Sequence, residues 1–99
     1  MQKPTMQLGR PAGISTYESE PALASGQAVR GARVAQGIAQ DVFASRAGIS
    51  RSYMGKIERG EHVPTLPVIL KIAMVLRINA ADLMAATEHY LGSGARTDS

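Results

Sequence analysis

Between residues 40 and 58 the chain carries two short stretches of helical character, separated only by Gly48, Ile49 and Ser50. No other feature narrows the choice of fold as much. Gly48 can enter the left-handed conformation that ends a helix without the steric cost that a Cβ brings. Ser50 can accept a free amide hydrogen bond from the opening turn of the next helix. A glycine-containing turn this short holds its two helices at a steep angle to each other.

The surrounding pattern is also helical. Beyond Pro21, prolines occur in the central region only as Pro64 and Pro67, and glycines punctuate short apolar-periodic runs instead of alternating strands. The spacing predicts an all-α fold of five helices at 22–36, 40–47, 51–58, 66–76 and 80–91. Gly37 stops the first, while Thr65 and Asn79 are suited to cap the fourth and fifth, with Asp82 adding a charge that the helix dipole favours. Pro67 is tolerated because first-turn amides have no intrahelical acceptor. Residues 1–20, rich in Pro, Gly, Ser and Thr without period, read as a flexible arm. Residues 92–99 read as a disordered tail, which leaves a single domain at 21–91.

Composition removes several classes of function. Ninety-nine residues leave room for one modest core and one site. With no cysteine there is neither a disulfide framework nor a thiolate zinc site. Apolar runs are far too short to span a membrane, and the N-terminus lacks a signal peptide's apolar block, so the expected compartment is the cytoplasm, at the nucleoid. His62 and His89 stand far apart without cysteine company, and no metal or cofactor is expected. No nucleophile elbow or phosphate-binding glycine loop occurs, so no enzyme activity is expected.

Charge is concentrated in the same region as the short helices. Arg30, Arg33, Arg46, Arg51, Lys56 and Arg59 face only Asp41 and Glu58 between residues 26 and 60, whereas the flanks are balanced or slightly acidic. At about 100° per residue, Arg51, Ser52, Gly55, Lys56 and Arg59 share one face of the third helix, with Tyr53, Met54, Ile57 and Glu58 on the other. A face that is basic, small and polar suits insertion into a major groove.

These residues also carry a resemblance. The stretch Ala39-Gln40-Asp41-Val42-Phe43-Ala44, then Ala47-Gly48-Ile49-Ser50-Arg51-Ser52-Tyr53-Met54-Gly55-Lys56-Ile57-Glu58-Arg59-Gly60, then Pro64-Thr65-Leu66 and Leu70-Lys71-Ile72-Ala73, resembles the phage repressor and Cro-type (xenobiotic response element type) helix-turn-helix regulators from about Val29 to Met84. The resemblance implies a five-helix, repressor-like DNA-binding domain whose helix starting at Arg51 lies in the major groove. It places Arg51, Ser52 and Lys56 at base edges. Gln40 falls on a phosphate while bracing that helix, and Tyr53 and Arg59 fall near the backbone; with Ser50 these form the expected DNA-binding set. It further implies a structural salt bridge between Arg33 and Glu58. Two positions depart from the pattern: Val42, where a polar residue is usual, and Arg77, where a glycine is common. Gly31 and Gly55 add a helical cost of roughly 0.5–1 kcal/mol each.

Leu66, Ile69, Ile72, Ala73 and Leu76 follow core spacing, with Phe43, Ile49, Met54 and Ile57 facing them. Val68, Leu70, Met74 and Val75, together with Leu83, Met84, Tyr90 and Leu91, provide more apolar surface than one small domain needs. Either the core absorbs it or, the favoured reading, Leu83, Met84, Tyr90 and Leu91 form a homodimer interface. The function expected is a sequence-specific transcriptional regulator binding a two-fold duplex DNA operator as a homodimer. The alternatives are an antitoxin that also controls its own promoter, with the arm as toxin-binding segment, and a restriction-modification controller. Contact with a toxin or with RNA polymerase belongs to these expectations.

Overall fold

The computed structural model describes residues 19–95. They form α1 (Ser19–Ala35), α2 (Gln40–Ala47), α3 (Arg51–Glu58), α4 (Leu66–Leu76) and α5 (Ala80–Ala95), with no strand among the described residues. α2, α3 and α4 have the expected bounds. α1 begins earlier than expected because Pro21 falls in its first turn, where the missing N–H has no acceptor to lose. α5 runs on through Gly92 and Gly94, since helical glycine is costly but not forbidden. The expected arm therefore yields its last two residues to α1, and its remainder, like residues 96–99 of the expected tail, lies outside the described residues.

Four helix ends are built alike. After α1, α2, α3 and α4 the chain turns through a left-handed residue: Gly37, Gly48, Gly60 and Arg77 respectively. At each end the amide of that residue and of the next reach back to the last turn. Ile38 N donates to Arg33 O at 3.1 Å, Ile49 N to Ala44 O at 3.0 Å, Glu61 N to Lys56 O at 2.8 Å and Ile78 N to Ala73 O at 3.1 Å. This is the Schellman closure that satisfies orphan carbonyls. Arg77, at φ 60°, performs the glycine role with a Cβ, and Gln36 Nε2 adds a bond to Leu76 O at 2.7 Å at the same end. Ser50 caps α3, its Oγ accepting from Tyr53 N at 3.0 Å. Thr65 stands at the cap position of α4, but its side chain accepts no cap bond. Pro67 has removed one of the two amides such a cap can reach.

The core joins Val29 of α1, Phe43 of α2, Met54 and Ile57 of α3, and Ile72 and Leu76 of α4, all fully buried. Each large side chain so buried contributes about 1.5–3 kcal/mol relative to exposure. α1 comes so close to the end of α3 that a Cβ on Gly26 would lie 2.5 Å from Ile57 O and 2.7 Å from Glu58 O. Neither is a flexible side chain able to yield.

Two apolar assignments are corrected. Leu83, expected at a homodimer interface, is 2% exposed and belongs to this core. α5 makes its most extensive contact with α1, so the surplus read on α5 is partly consumed within the chain. Tyr90 Oη lies 3.4 Å from where a Cβ on Gly31 would be, and Leu91 is partly covered. Leu66, expected in the core, is 66% exposed; it lines up at four-residue spacing with Leu70 and Met74 as a bare stripe along α4.

Candidate functional site

The two faces of α3 have opposite chemistry. On the inner side Glu58 is buried and its oxygens accept from two directions: Arg33 Nε donates to Oε2 at 2.7 Å and Nη2 to Oε1 at 3.0 Å, while Gln40 Nε2 donates to Oε1 at 3.0 Å. Arg33 Nη1 also donates to Ile38 O at 2.8 Å. A carboxylate with its side chain 2% exposed would be costly by itself; the bidentate guanidinium and the amide offset that cost. The hydrogen bond to Glu58, reinforced by its charge and partly opposed by burial, raises the Arg33 pKa above the usual guanidinium value. Three helices meet in this cluster, because Arg33 comes from α1, Gln40 from the start of α2 and Glu58 from the end of α3.

On the outer side Arg51, Ser52 and Lys56 are exposed, and neither Arg51 nor Lys56 enters an ion pair among the described residues. Arg51 and Ser52 line an open concavity with Gln40, Gly55 and Arg59. Gly55 forms its floor: a Cβ there would stand 2.9 Å from Arg59 Nη1 and 3.8 Å from Gln40 Oε1. The helical cost of this glycine thus accompanies a local close approach of side chains from α2 and from the end of α3. Ser50 is the α3 cap and is not among the residues lining the concavity, and Tyr53 is half-buried, its ring 5.7 Å from that of His62. Ala39 provides no side-chain cap for α2, although Asp41 Oδ1 accepts from Val42 N at 2.9 Å.

The structure therefore brings Gln40, Arg51, Ser52 and Arg59 around one concavity, leaves Lys56 exposed beyond its lining, and ties Gln40 to the Arg33–Glu58 pair. Met84 and Tyr90 lie on the partly exposed side of α5, away from this set in the sequence of elements. One participant escaped the sequence reading. Arg59 Nε donates to Glu61 Oε2 at 2.7 Å and Nη2 to Oε1 at 3.4 Å, and this hydrogen bond holds the Glu61 carboxyl below its ordinary range. The signal was an acid two residues after Arg59 across a glycine at a helix end. No group of three or more potential metal ligands occurs among the described residues. Nor is any described helix long and apolar enough to cross a membrane.

A family model described as helix-turn-helix, HTH_3, matches residues 29–83, over half of the chain. The chain belongs to this family. Its match spans all of α2, α3 and α4 and therefore the whole turn around Gly48. Among similar proteins, the uncharacterized HTH-type transcriptional regulator YazB of Bacillus subtilis is 41% identical over 58 residues, 59% of this chain and 84% of the relative. Among solved structures, the restriction-modification controller protein C.AhdI of Aeromonas hydrophila is 39% identical, with a TM-score of 0.61 over 63% of this chain and 90% of that one. The clp gene regulator ClgR of Corynebacterium glutamicum has a similar fold, with a TM-score of 0.73 at 21% identity over 76% of this chain and 80% of that one.

Proposed function

We propose that the protein is a sequence-specific transcriptional regulator that binds duplex DNA through α3, acting as a homodimer on a two-fold operator. The observation that carries this reading is the outer face of α3. Arg51 and Lys56 stand there exposed and outside any salt bridge among the described residues, with Lys56 near enough to Glu61 for its charge to help lower that carboxyl, beside a concavity lined by Gly55. Arg51, at the start of α3, reads a guanine through O6 and N7. Ser52 and Lys56 contribute the next contacts along the groove, and Tyr53 and Arg59 approach phosphates. Gln40, with its amide already bonded to Glu58, presents the uncapped start of α2 to a phosphate and fixes that helix against α3.

The experiment is selection of bound sequences from a random duplex pool, followed by titration of the recovered operator and its single-base variants at fixed salt. Arg51→Ala is expected to cost about 1–3 kcal/mol on the operator and to relax preference at one base position. Gln40→Ala weakens all duplexes nearly alike. Equal loss on every duplex for Arg51→Ala would make that residue a phosphate anchor instead.

The homodimer reading rests on the exposed apolar side chains of Leu66, Leu70 and Met74 on α4 and of Met84 and Tyr90 on α5, and not on the buried Leu83. Leu70→Glu, at a surface position, is expected to weaken self-association and operator binding together while leaving the fold intact. Sedimentation as a monomer throughout the micromolar range would remove the dimer. In a dimer the half-sites are expected about one helical turn, roughly 34 Å, apart. Control of restriction-modification genes is a narrower reading within the same chemistry, favoured by the likeness to C.AhdI. A neighbouring pair of nuclease and methyltransferase genes would support it.

A further inference from the structure

The four Schellman ends differ at one position. After the left-handed residue, α1, α2 and α4 are followed by Ile38, Ile49 and Ile78, each packed against the core. An apolar side chain there is the usual companion of this closure, because it covers the last turn. After α3 the corresponding residue is Glu61, exposed and charged. The closure itself does not require a carboxylate.

Glu61 receives Nε of Arg59 at 2.7 Å and Nη2 at 3.4 Å, leaving Nη1 over Gly55 at the concavity shared with Gln40, Arg51 and Ser52. The two side chains are 59% and 50% exposed, so water and salt screen the pair and its contribution to the fold is small. Its main effect is on the position and availability of the Arg59 guanidinium. A carboxylate and a phosphate offer that guanidinium the same bidentate geometry, and Arg59 can satisfy only one of them with the same nitrogens.

We infer that Glu61 tunes DNA affinity by competing with a backbone phosphate for Arg59. This rests on the duplex-binding reading above. In the free protein the carboxylate occupies the guanidinium; on binding, Arg59 exchanges Glu61 for phosphate, and every complex forms against the loss of that pair. Because the exchange involves the backbone, the effect is the same for operator and for unrelated duplex. Glu61 is a positioning residue, acting through Arg59.

The test titrates the full chain and its variants against a labelled operator and a random-sequence duplex at fixed salt, with melting midpoints measured in parallel. Glu61→Gln is expected to tighten both duplexes about two- to five-fold, the factor that an exposed ion pair represents, with a melting midpoint lowered by no more than about a few degrees. In an Arg59→Ala background the same substitution changes neither affinity. Tightening that persists without Arg59 means that Glu61 acts only as a charge near DNA, and overturns the inference. Unchanged or weaker binding by Glu61→Gln, with wild-type binding intact, also overturns it while leaving the duplex reading standing. A folded wild-type chain that binds neither duplex removes both.

Discussion

Two arginine–glutamate pairs flank the end of α3, each with Nε 2.7 Å from a carboxylate oxygen, yet they differ in almost everything else. Arg33–Glu58 joins residues 25 apart in sequence, with side chains 12% and 2% exposed; Arg59–Glu61 joins residues two apart, with side chains half exposed or more. The inner carboxylate also accepts from Gln40, so its lone pairs are engaged by α1 and α2 together. The outer pair spans one turn. Contact distance therefore says little about the role of an ion pair. What decides it is the cost of leaving one partner behind: a buried charge has no water to return to, whereas an exposed one simply rehydrates.

The largest test of this contrast removes one inner partner. Arg33→Ala or Glu58→Gln is expected to cost about 3–5 kcal/mol in urea unfolding, much of a small domain's usual stability, and removal of both to cost less than the sum. Arg59→Ala, by contrast, should leave the unfolding midpoint in place while weakening duplex binding. Zero coupling in the inner double-mutant cycle, or a large midpoint shift from Arg59→Ala, would break the comparison.

A smaller effect sharpens it. Arg77 adopts the left-handed conformation at φ 60°, which costs a side-chain-bearing residue about 1–2 kcal/mol, while glycine there would loosen the unfolded chain by a lesser amount. Arg77→Gly is therefore expected to stabilise by about 0.5–1 kcal/mol. Placed in the Glu58→Gln background, it should restore that same increment in thermal or urea unfolding. It leaves the coupling between Arg33 and Glu58 untouched.

Much of this was legible in the chain because the relevant signals are local. Gly37, Gly48 and Ser50 mark helix ends by conformational preference alone, and the end of α2 and the start of α3 followed. Where the signal was ambiguous the boundary moved: Pro21 reads equally as a stop or as a first-turn residue, and Gly92 and Gly94 read as a tail although α5 continues through them. Periodicity told which residues share a face but not which neighbour covers it. Leu83 was thus assigned to an outer surface although α5 turns it into the core, and Leu66 to the core although nothing encloses it. The outer face of α3 followed from angular spacing. The bond between Gln40 and Glu58, and the fold-back of Arg59 onto Glu61, depend on loop geometry that a linear pattern does not contain.

The near contact of Gly26 with the last carbonyls of α3 has a consequence for any genetic survey of this protein. A single added methyl at position 26 pushes on the backbone that carries Ile57 and Glu58, so it displaces or unfolds the helix whose opposite face carries Arg51. If Arg51 acts as proposed, a screen scored only by loss of regulation would place Gly26→Ala beside substitutions of Arg51, and a map of such defects would draw the working surface too wide. Measuring the amount of folded protein for each variant would separate the two, with Gly26→Ala expected to be depleted from the cell and Arg51→Ala expected at full level with weakened operator binding.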